Sequence, residues 1–323
     1  MKKKKNIYKF CVAPMFRYTD EHCRKIYRIM SKKTLLFTEM IHVRNILYDY
    51  KNKIILNKKK ENPIAIQIAG SNSLETAKCA EIIYKKKYKY INLNIGCPSI
   101  KAQKGNFGII LMKKPKTIIN LINSIKDNTP MEVSIKTRIG IDKNDNYNFL
   151  SDFINDIYIN SNCKIFILHA RSAILNNFST KKNLKIPKIN YKIVYKIKKQ
   201  FPKLKIILNG EIKSIKESLI HLKKVDGVML GRNIYKNPMM LNYVDKNIYN
   251  IKNKYSFKKK LKKIFKYINK KVKENIQMYK ITRHILEIFK GNKGSTIWKK
   301  LILENAKKKI NIEKIFKIYK KNN

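Results

Sequence analysis

The chain has 323 residues, with 74 Lys+Arg against 21 Asp+Glu, a formal net charge of +53. Hydrophobic residues at 44% and aromatic residues at 10% supply a core and exclude a disordered chain. No apolar run approaches the roughly 18 residues of a membrane span. Met1 to Lys5 is basic, but no small-residue cleavage site follows, so a cytoplasmic protein is expected.

In chain order, short β-rich apolar runs fall at 8–13, 35–38, 64–68, 91–94, 133–136, 165–169, 206–209 and 228–230. Between them lie amphipathic stretches at helical spacing, at 73–84, 115–125, 191–201 and 214–222. Ser73 and Ser214 read as N-caps and Pro115 as a first-turn residue. Nearly every strand ends in a chemically capable group: Met15, Glu39, Gln67, Asn94 with Cys97, Lys136, His169, Asn209 and Gly231-Arg232. An open doubly wound sheet would scatter these groups along an edge, whereas a closed parallel barrel gathers them on one face. The expected fold is therefore an α/β protein, a (β/α)8 TIM barrel over 1–245 with a small all-helical domain over 246–323. In that second part the spacing of Ile264, Ile268, Val272 and Ile276 predicts a helix; another is expected over 281–289 and a third from Ser295.

The five cysteines, Cys11, Cys23, Cys79, Cys97 and Cys163, form no CxxC pair, so neither a metal site nor a disulfide framework is expected. Cys97 stands apart because it sits in a Gly/Pro/Ser turn after a strand, Asn94-Ile95-Gly96-Cys97-Pro98-Ser99, followed by Gly105-Asn106-Phe107-Gly108. The surplus of lysine favours a polyanionic partner, nucleic acid first. Lys, Asn, Ile and Tyr share A/T-rich codons, however, so part of that surplus reads as drift on solvated faces.

Asn94-Ile95-Gly96-Cys97-Pro98 resembles the signature of tRNA-dihydrouridine synthases, flavoenzymes that reduce uridine in the D-loop of tRNA. Ala13-Pro14-Met15, Thr38-Glu39-Met40, Gln67-Ile68-Ala69-Gly70, Lys136-Thr137-Arg138-Ile139-Gly140, His169-Ala170-Arg171 and the segment from Asp226 to Arg232 are similar to the same family, in the same order. Asp20-Glu21-His22-Cys23-Arg24, Ile281-Thr282-Arg283-His284 and the Gly291, Gly294, Trp298 spacing resemble the branch acting on positions 20 and 20a. The resemblance implies bound FMN re-reduced by NADPH, because no amino acid donates the hydride that C6 of uracil needs.

Cys97 is then the implied proton donor to C5; an ordinary thiol, with a pKa of about 8.5, keeps its proton at neutral pH. The resemblance places Lys136 and His169 beside the flavin, Gln67 at its ring edge and Ala13, Pro14 and Met15 beneath it. It places Asn209, Gly210, Glu211, Gly231 and Arg232 at the phosphate, after strands seven and eight. Position 211 departs from the family, which usually has glycine there; a carboxylate beside a phosphate repels it unless it points away. For tRNA the implied contacts are Asn94 at the target uridine, Thr180 and Asn183 in the overhanging 176–186 loop, and Thr296 and Lys299 in the helical part. Thr296 stands where arginine is usual. No obligate protein partner is expected, and the chain is expected to be a monomer. Two other readings compete: a flavin barrel of the dihydroorotate-dehydrogenase type, and an RNA-binding protein whose flavin site has decayed. The basic helical part discriminates against the first, and the joint presence of Cys97, Lys136, His169 and Arg232 against the second.

Overall fold

The computed structural model describes residues 6–49, 55, 61–175, 178–179, 181–252, 254–306 and 310–321. Eight parallel strands close into a barrel in sequence order: β1 (Phe10–Val12), β2 (Leu35–His42), β3 (Ile64–Ala69), β4 (Tyr90–Ile95), β5 (Glu132–Arg138), β6 (Ile165–His169), β7 (Lys205–Asn209) and β8 (Gly227–Leu230). β8 returns to pair with β1, Phe10 opposite Val228. The helices that cover the barrel are α1 (Glu21–Met30), α2 (Val43–Leu47), α3 (Ser73–Lys85), α4 (Ile100–Lys104), α5 (Pro115–Asn128), α6 (Tyr147–Ser161), α7 (Tyr191–Gln200) and α8 (Ile215–His221). Every expected strand run is present. The first is shorter than expected, because residues 7–9 form a helical turn capped by Asn6.

Successive side chains of a strand face opposite ways, so each barrel strand feeds two cores. The inner one, with Tyr8, Cys11, Leu35, Phe37, Ala65, Ile165, Ile167, Ile207 and Met229, fills the barrel. The outer one runs between strands and helices through residues such as Ile66, Ile91, Ile135, Phe166 and Leu208. Pro115 opens α5 and Ser214 caps α8, its oxygen accepting from the Glu217 amide at 3.0 Å. The cap of α3 is Asn72 rather than Ser73: its side-chain oxygen accepts from the Glu75 amide at 2.9 Å, which places Ser73 one residue inside.

Beyond β8 follow α9 (Arg232–Lys236), α10 (Leu241–Asn247), α11 (Phe257–Lys273), α12 (Met278–Thr282), α13 (Ser295–Glu304) and α14 (Ile312–Lys321). The helix expected over 281–289 is broken. α12 ends at Thr282, and the amides of His284, Ile285 and Ile288 reach back only three residues. Carbonyls that would continue a helix are taken by tertiary donors: Trp298 Nε1 donates to Ile285 at 2.9 Å and the Tyr235 hydroxyl to Arg283 at 3.2 Å. Trp298 is fully buried among Phe265, Phe289, Phe316 and Tyr319, the centre of this helical part.

Polar contacts seat these helices on α1. Asp245 accepts from Ser31 Oγ at 2.6 Å and the Lys32 amide at 2.7 Å, and the Tyr267 hydroxyl meets His22 Nδ1 at 2.7 Å. Asp20, the N-cap of α1, takes the Cys23 amide at 2.8 Å while its other oxygen is shared by Arg283 and His284. Burial raises the Asp20 pKa, but the hydrogen bond and charge of His284, the Cys23 amide and Arg283 outweigh it and hold the carboxyl well below the usual carboxylate range. A depressed carboxyl stabilises the fold above its unfolded pKa of about 3.9 and loses that contribution as pH falls through the folded value. Asp20→Asn is therefore expected to cost about 1–2 kcal/mol near neutral pH. Chemical denaturation from pH 7 to pH 3 checks the sign: the gap between the two proteins shrinks on the acid side.

Candidate active site

The strand register sets the site. Gln67 pairs with Asn92, Asn94 with Lys136, Arg138 with His169, His169 with Asn209 and Asn209 with Met229. The polar residues at the strand ends thus form a nearly continuous ring over the apolar interior. Above it opens a cleft of about 680 Å³, within the roughly 300–1,000 Å³ common for ligand and cofactor sites. Ala13, Pro14, Met15, Gln67, Asn94, Cys97, Lys136, His169, Asn209, Gly210, Glu211, Gly231 and Arg232 all line it.

One wall is a hydrogen-bonded relay. Thr38 Oγ1 takes the Gln67 amide at 3.0 Å; Gln67 Nε2 donates to Asn92 Oδ1 at 2.7 Å, and Gln67 Oε1 accepts from Asn94 Nδ2 at 3.0 Å. Asn94 Oδ1 then takes the amides of Gly96 at 3.1 Å and Cys97 at 3.0 Å, so one side chain fixes both Gln67 and the cysteine turn. Cys97 Sγ lies 3.4 Å from Ser99 Oγ, and the hydroxyl also caps α4 through the Ala102 amide at 3.2 Å. Gly108, at φ +75°, must be glycine: a Cβ there would stand 2.6 Å from the Cys97 carbonyl oxygen.

The opposite wall is cationic. The Lys136 ammonium has no hydrogen-bond or ion-pair partner among the described residues; burial first, then the Arg138 guanidinium, lowers its pKa to about 8, and Cys97 pulls weakly the other way. His169 is held well below its usual range by burial and by Arg138, Lys136, Arg171 and Arg232, so its imidazole is neutral at pH 7. Arg138, a site residue beyond those expected, donates to the carbonyls of Gly96 at 3.2 Å, Ser172 at 2.7 Å and Asn183 at 3.0 Å. It thereby ties the cysteine turn to the loop after β6. Its place in Lys136-Thr137-Arg138, two residues beyond Lys136 and so on the same strand face, was the available signal.

After β7 and β8 the backbone is turned for anions. The carbonyls of Glu211 and Ile212 accept from Asn233 at 3.2 and 2.9 Å, and that of Gly210 from Tyr191 at 2.7 Å. The amides of Glu211, Ile212, Gly231 and Arg232 find no acceptor among the described residues, and the Arg232 guanidinium has no partner there either. Glu211 adopts φ +48°, the left-handed conformation that glycine takes without strain. Its carboxylate is not left facing an anion: Oε1 accepts from Arg171 Nη2 at 2.6 Å.

The expected RNA contacts divide. The loop after β6 does overhang the cleft through Leu184 and Lys185. Asn183, expected at an RNA surface, is instead fully buried, exchanging hydrogen bonds with the Ile174 backbone at 2.7 and 2.8 Å, and so holds the loop. A buried amide must satisfy its own donors and acceptor, which takes it away from solvent. Thr180 lies outside the described residues. On α13 Thr296 is exposed, and Lys299 is paired with Glu287 at 2.8 Å.

Fold and cleft together define a TIM barrel whose mouth carries open amides, cationic side chains and a thiol. Residues 11–322 match the family described as Dihydrouridine synthase (Dus), and the chain belongs to that family. It is 39% identical over 301 residues to the tRNA-dihydrouridine(20/20a) synthase of Escherichia coli K12, covering 93% of this chain and 87% of that protein. The protein of the same name from Salmonella typhi is 39% identical over 302 residues, 93% of this chain and 91% of its own length. That from Vibrio parahaemolyticus is 38% identical over 298 residues, 92% and 91% respectively. Enzymes of this family are flavin-dependent. The residues present fit such a group: unpaired amides and Arg232 for a phosphate, the unpaired Lys136 ammonium for an electron-rich ring. Among the described residues no helix is long and apolar enough to cross a membrane.

An unpaired, half-buried ammonium at the foot of a cleft opposes folding until an anion arrives. Because the folded pKa of about 8 lies below the unfolded value of about 10.4, stability rises with pH between them, and the full cost is felt below pH 8. Lys136→Met is expected to raise the melting temperature of the flavin-free protein by a few degrees at pH 7, less at pH 9.5, and to weaken flavin binding. Calorimetry at both pH values checks it.

Proposed function

We propose that this protein reduces the C5–C6 double bond of uridine at positions 20 and 20a of the tRNA D-loop, with FMN as its flavin and NADPH as the reductant. The observation that carries this reading is the Asn94 side chain, which joins the Gln67 amide to the Cys97 turn, opposite Lys136 in the register. The names of relatives 38–39% identical along almost the whole chain support the substrate. The net charge of +53 suits a polyanionic one.

When bound, the flavin supplies a hydride to C6 of the uracil. The chain's own residues do the rest. The orphan amides after β7 and β8, with Arg232, hold the phosphate end. Gln67, fixed through Asn92 and Asn94, presents its amide to the ring edge, and Ala13, Pro14 and Met15 form the floor. The Lys136 cation favours the electron-rich state of the ring, and neutral His169 offers a hydrogen bond without adding charge. Cys97 gives the proton from Sγ to C5, and the Ser99 hydroxyl 3.4 Å away steadies the thiolate left behind.

A stacked base cannot reach the bottom of a barrel cleft, so the target uridine must be extruded, with its backbone held from outside. We assign that grip to the 176–186 loop, through Lys185, and to the helical part from 246 onward, including Thr296 and Lys299. Lys299 contributes less than a free lysine, because Glu287 already partly neutralises it.

Two outcomes test the reading. Cys97→Ala, pre-reduced and mixed with unmodified tRNA, is expected to form dihydrouridine at least ~100-fold more slowly in a single turnover while retaining its flavin; a rate near that of the parent removes Cys97 as the acid. Glu211→Gly is expected to bind FMN more tightly, since it relieves a left-handed glutamate and frees the Arg171 cation. Flavin titration of the two apoproteins measures it, and equal or weaker binding means that the ion pair serves the site.

A further inference from the structure

The segment between β1 and α1 carries two of the most exposed large hydrophobic side chains of the barrel mouth, Phe16 at 67% and Tyr18 at 46% exposure, with Arg17 between them. Phe16 and Tyr18 both line the cleft, on the side where the chain leaves Met15. A hydrophobic core does not use them, and single exposed aromatics need no explanation. Three further features set this pair apart.

First, the segment is held in an unfavourable backbone state. Arg17 sits at φ +63°, where a residue with a Cβ is strained, and its amide donates to Glu39 Oε1 of the neighbouring strand β2. Second, the aromatic rings are built upon. The Arg17 guanidinium lies 5.5 Å from the Phe16 ring centroid, and Tyr18 packs edge to face with Tyr235 at 4.6 Å. Tyr235 in turn is fixed to the Arg283 carbonyl and to His284, so Tyr18 rests on the helical part as well as on the barrel. Third, Arg17 has no carboxylate in ion-pair range of its guanidinium among the described residues, and the cleft that Phe16 and Tyr18 line also carries Lys213, Arg232 and Lys236.

We propose that Phe16, Arg17 and Tyr18 form a rim platform for the nucleotide next to the extruded uridine, its base stacking on the aromatic rings and its phosphate meeting Arg17. This rests on the reading of the protein as a reductase of tRNA uridine. Extrusion leaves the neighbouring base without one of its stacking partners, and an aromatic face replaces that loss for any base, purine or pyrimidine. The cation over Phe16 adds a phosphate contact at the same spot, so base and backbone are held by adjacent residues. The platform is a specificity and positioning element: it sets how deeply the uridine enters the cleft and has no part in hydride or proton transfer.

The test uses unmodified tRNA transcript carrying 2-aminopurine beside position 20, whose fluorescence falls when it stacks, with full-length holoprotein. Phe16→Ala and Tyr18→Ala are each expected to raise the Kd for this tRNA on the order of tenfold and to weaken the quench. Phe16→Trp restores both; Phe16→Leu, similar in apolar character but without a π face, restores neither. KM for tRNA rises more than kcat falls. The platform is overturned if both alanine variants bind tRNA as the parent does, or if leucine serves as well as an aromatic residue. It is equally overturned if flavin affinity falls while the tRNA Kd stays unchanged, which would make Phe16 a cover for the cofactor. A parent protein that reduces no uridine, yet loses tRNA affinity and quench in these variants, contradicts the catalytic reading and upholds the platform.

Discussion

Lys136 stands near the end of a buried strand with no anion among the described residues to balance it, and the residues around it multiply the problem. Burial first and then Arg171 lower the affinity of Arg138 for its proton, and burial together with Arg138, Lys136, Arg171 and Arg232 keeps His169 neutral. Concentrating positive charge inside a low-dielectric barrel costs stability unless an anion completes the site. Every other feature of the cleft is consistent with that requirement. The carbonyls after β7 are turned outward onto Tyr191 and Asn233, the amides are left open, and Arg138 is spent on backbone carbonyls instead of carboxylates. An anionic group bound in the cleft, as proposed for the flavin, would meet donors and cations already in place.

Barrel closure converts this local chemistry into one site. Gln67, Asn94, Lys136, His169 and Asn209 come from five different strands, and only the register of adjacent strands brings them to the same level. The relay from Thr38 through Gln67 and Asn94 to Cys97 then joins β2, β3 and β4 to the cysteine turn through direct hydrogen bonds. A thiol held this firmly meets the geometric demand of the proton transfer proposed for it, since a misplacement of an ångström is costly in rate.

Much of this was legible in the sequence because strands of this fold carry cleft-lining residues at or near their C-terminal ends. The run Ile165–His169 announces both a strand and a cleft residue, and Asn94, Lys136 and Asn209 likewise lie at or within two residues of the ends of their strands. What could not be read depends on partners distant in the chain. Nothing near Asn183 signals that its amide closes on Ile174, nothing near Glu211 signals Arg171, and the break after Thr282 is set by Trp298 and Tyr235. Glu211 is instructive in both directions. The departure from glycine correctly marked a position of unusual backbone, while the fate of its carboxylate required the fold. Asp245 carries a similar lesson, because the boundary expected there falls inside α10, where its carboxylate is bound to Ser31 and Lys32.

The product made from RNA is the most direct measure of what this cleft does. Purified protein, reconstituted with FMN and supplied with NADPH, should convert uridine to dihydrouridine in an unmodified tRNA transcript at positions 20 and 20a of the D-loop. Mass spectrometry of nuclease fragments reads this as a gain of two hydrogens confined to that loop. Flavin that NADPH reduces and that tRNA then fails to reoxidise, with no gain of mass in any fragment, would contradict it.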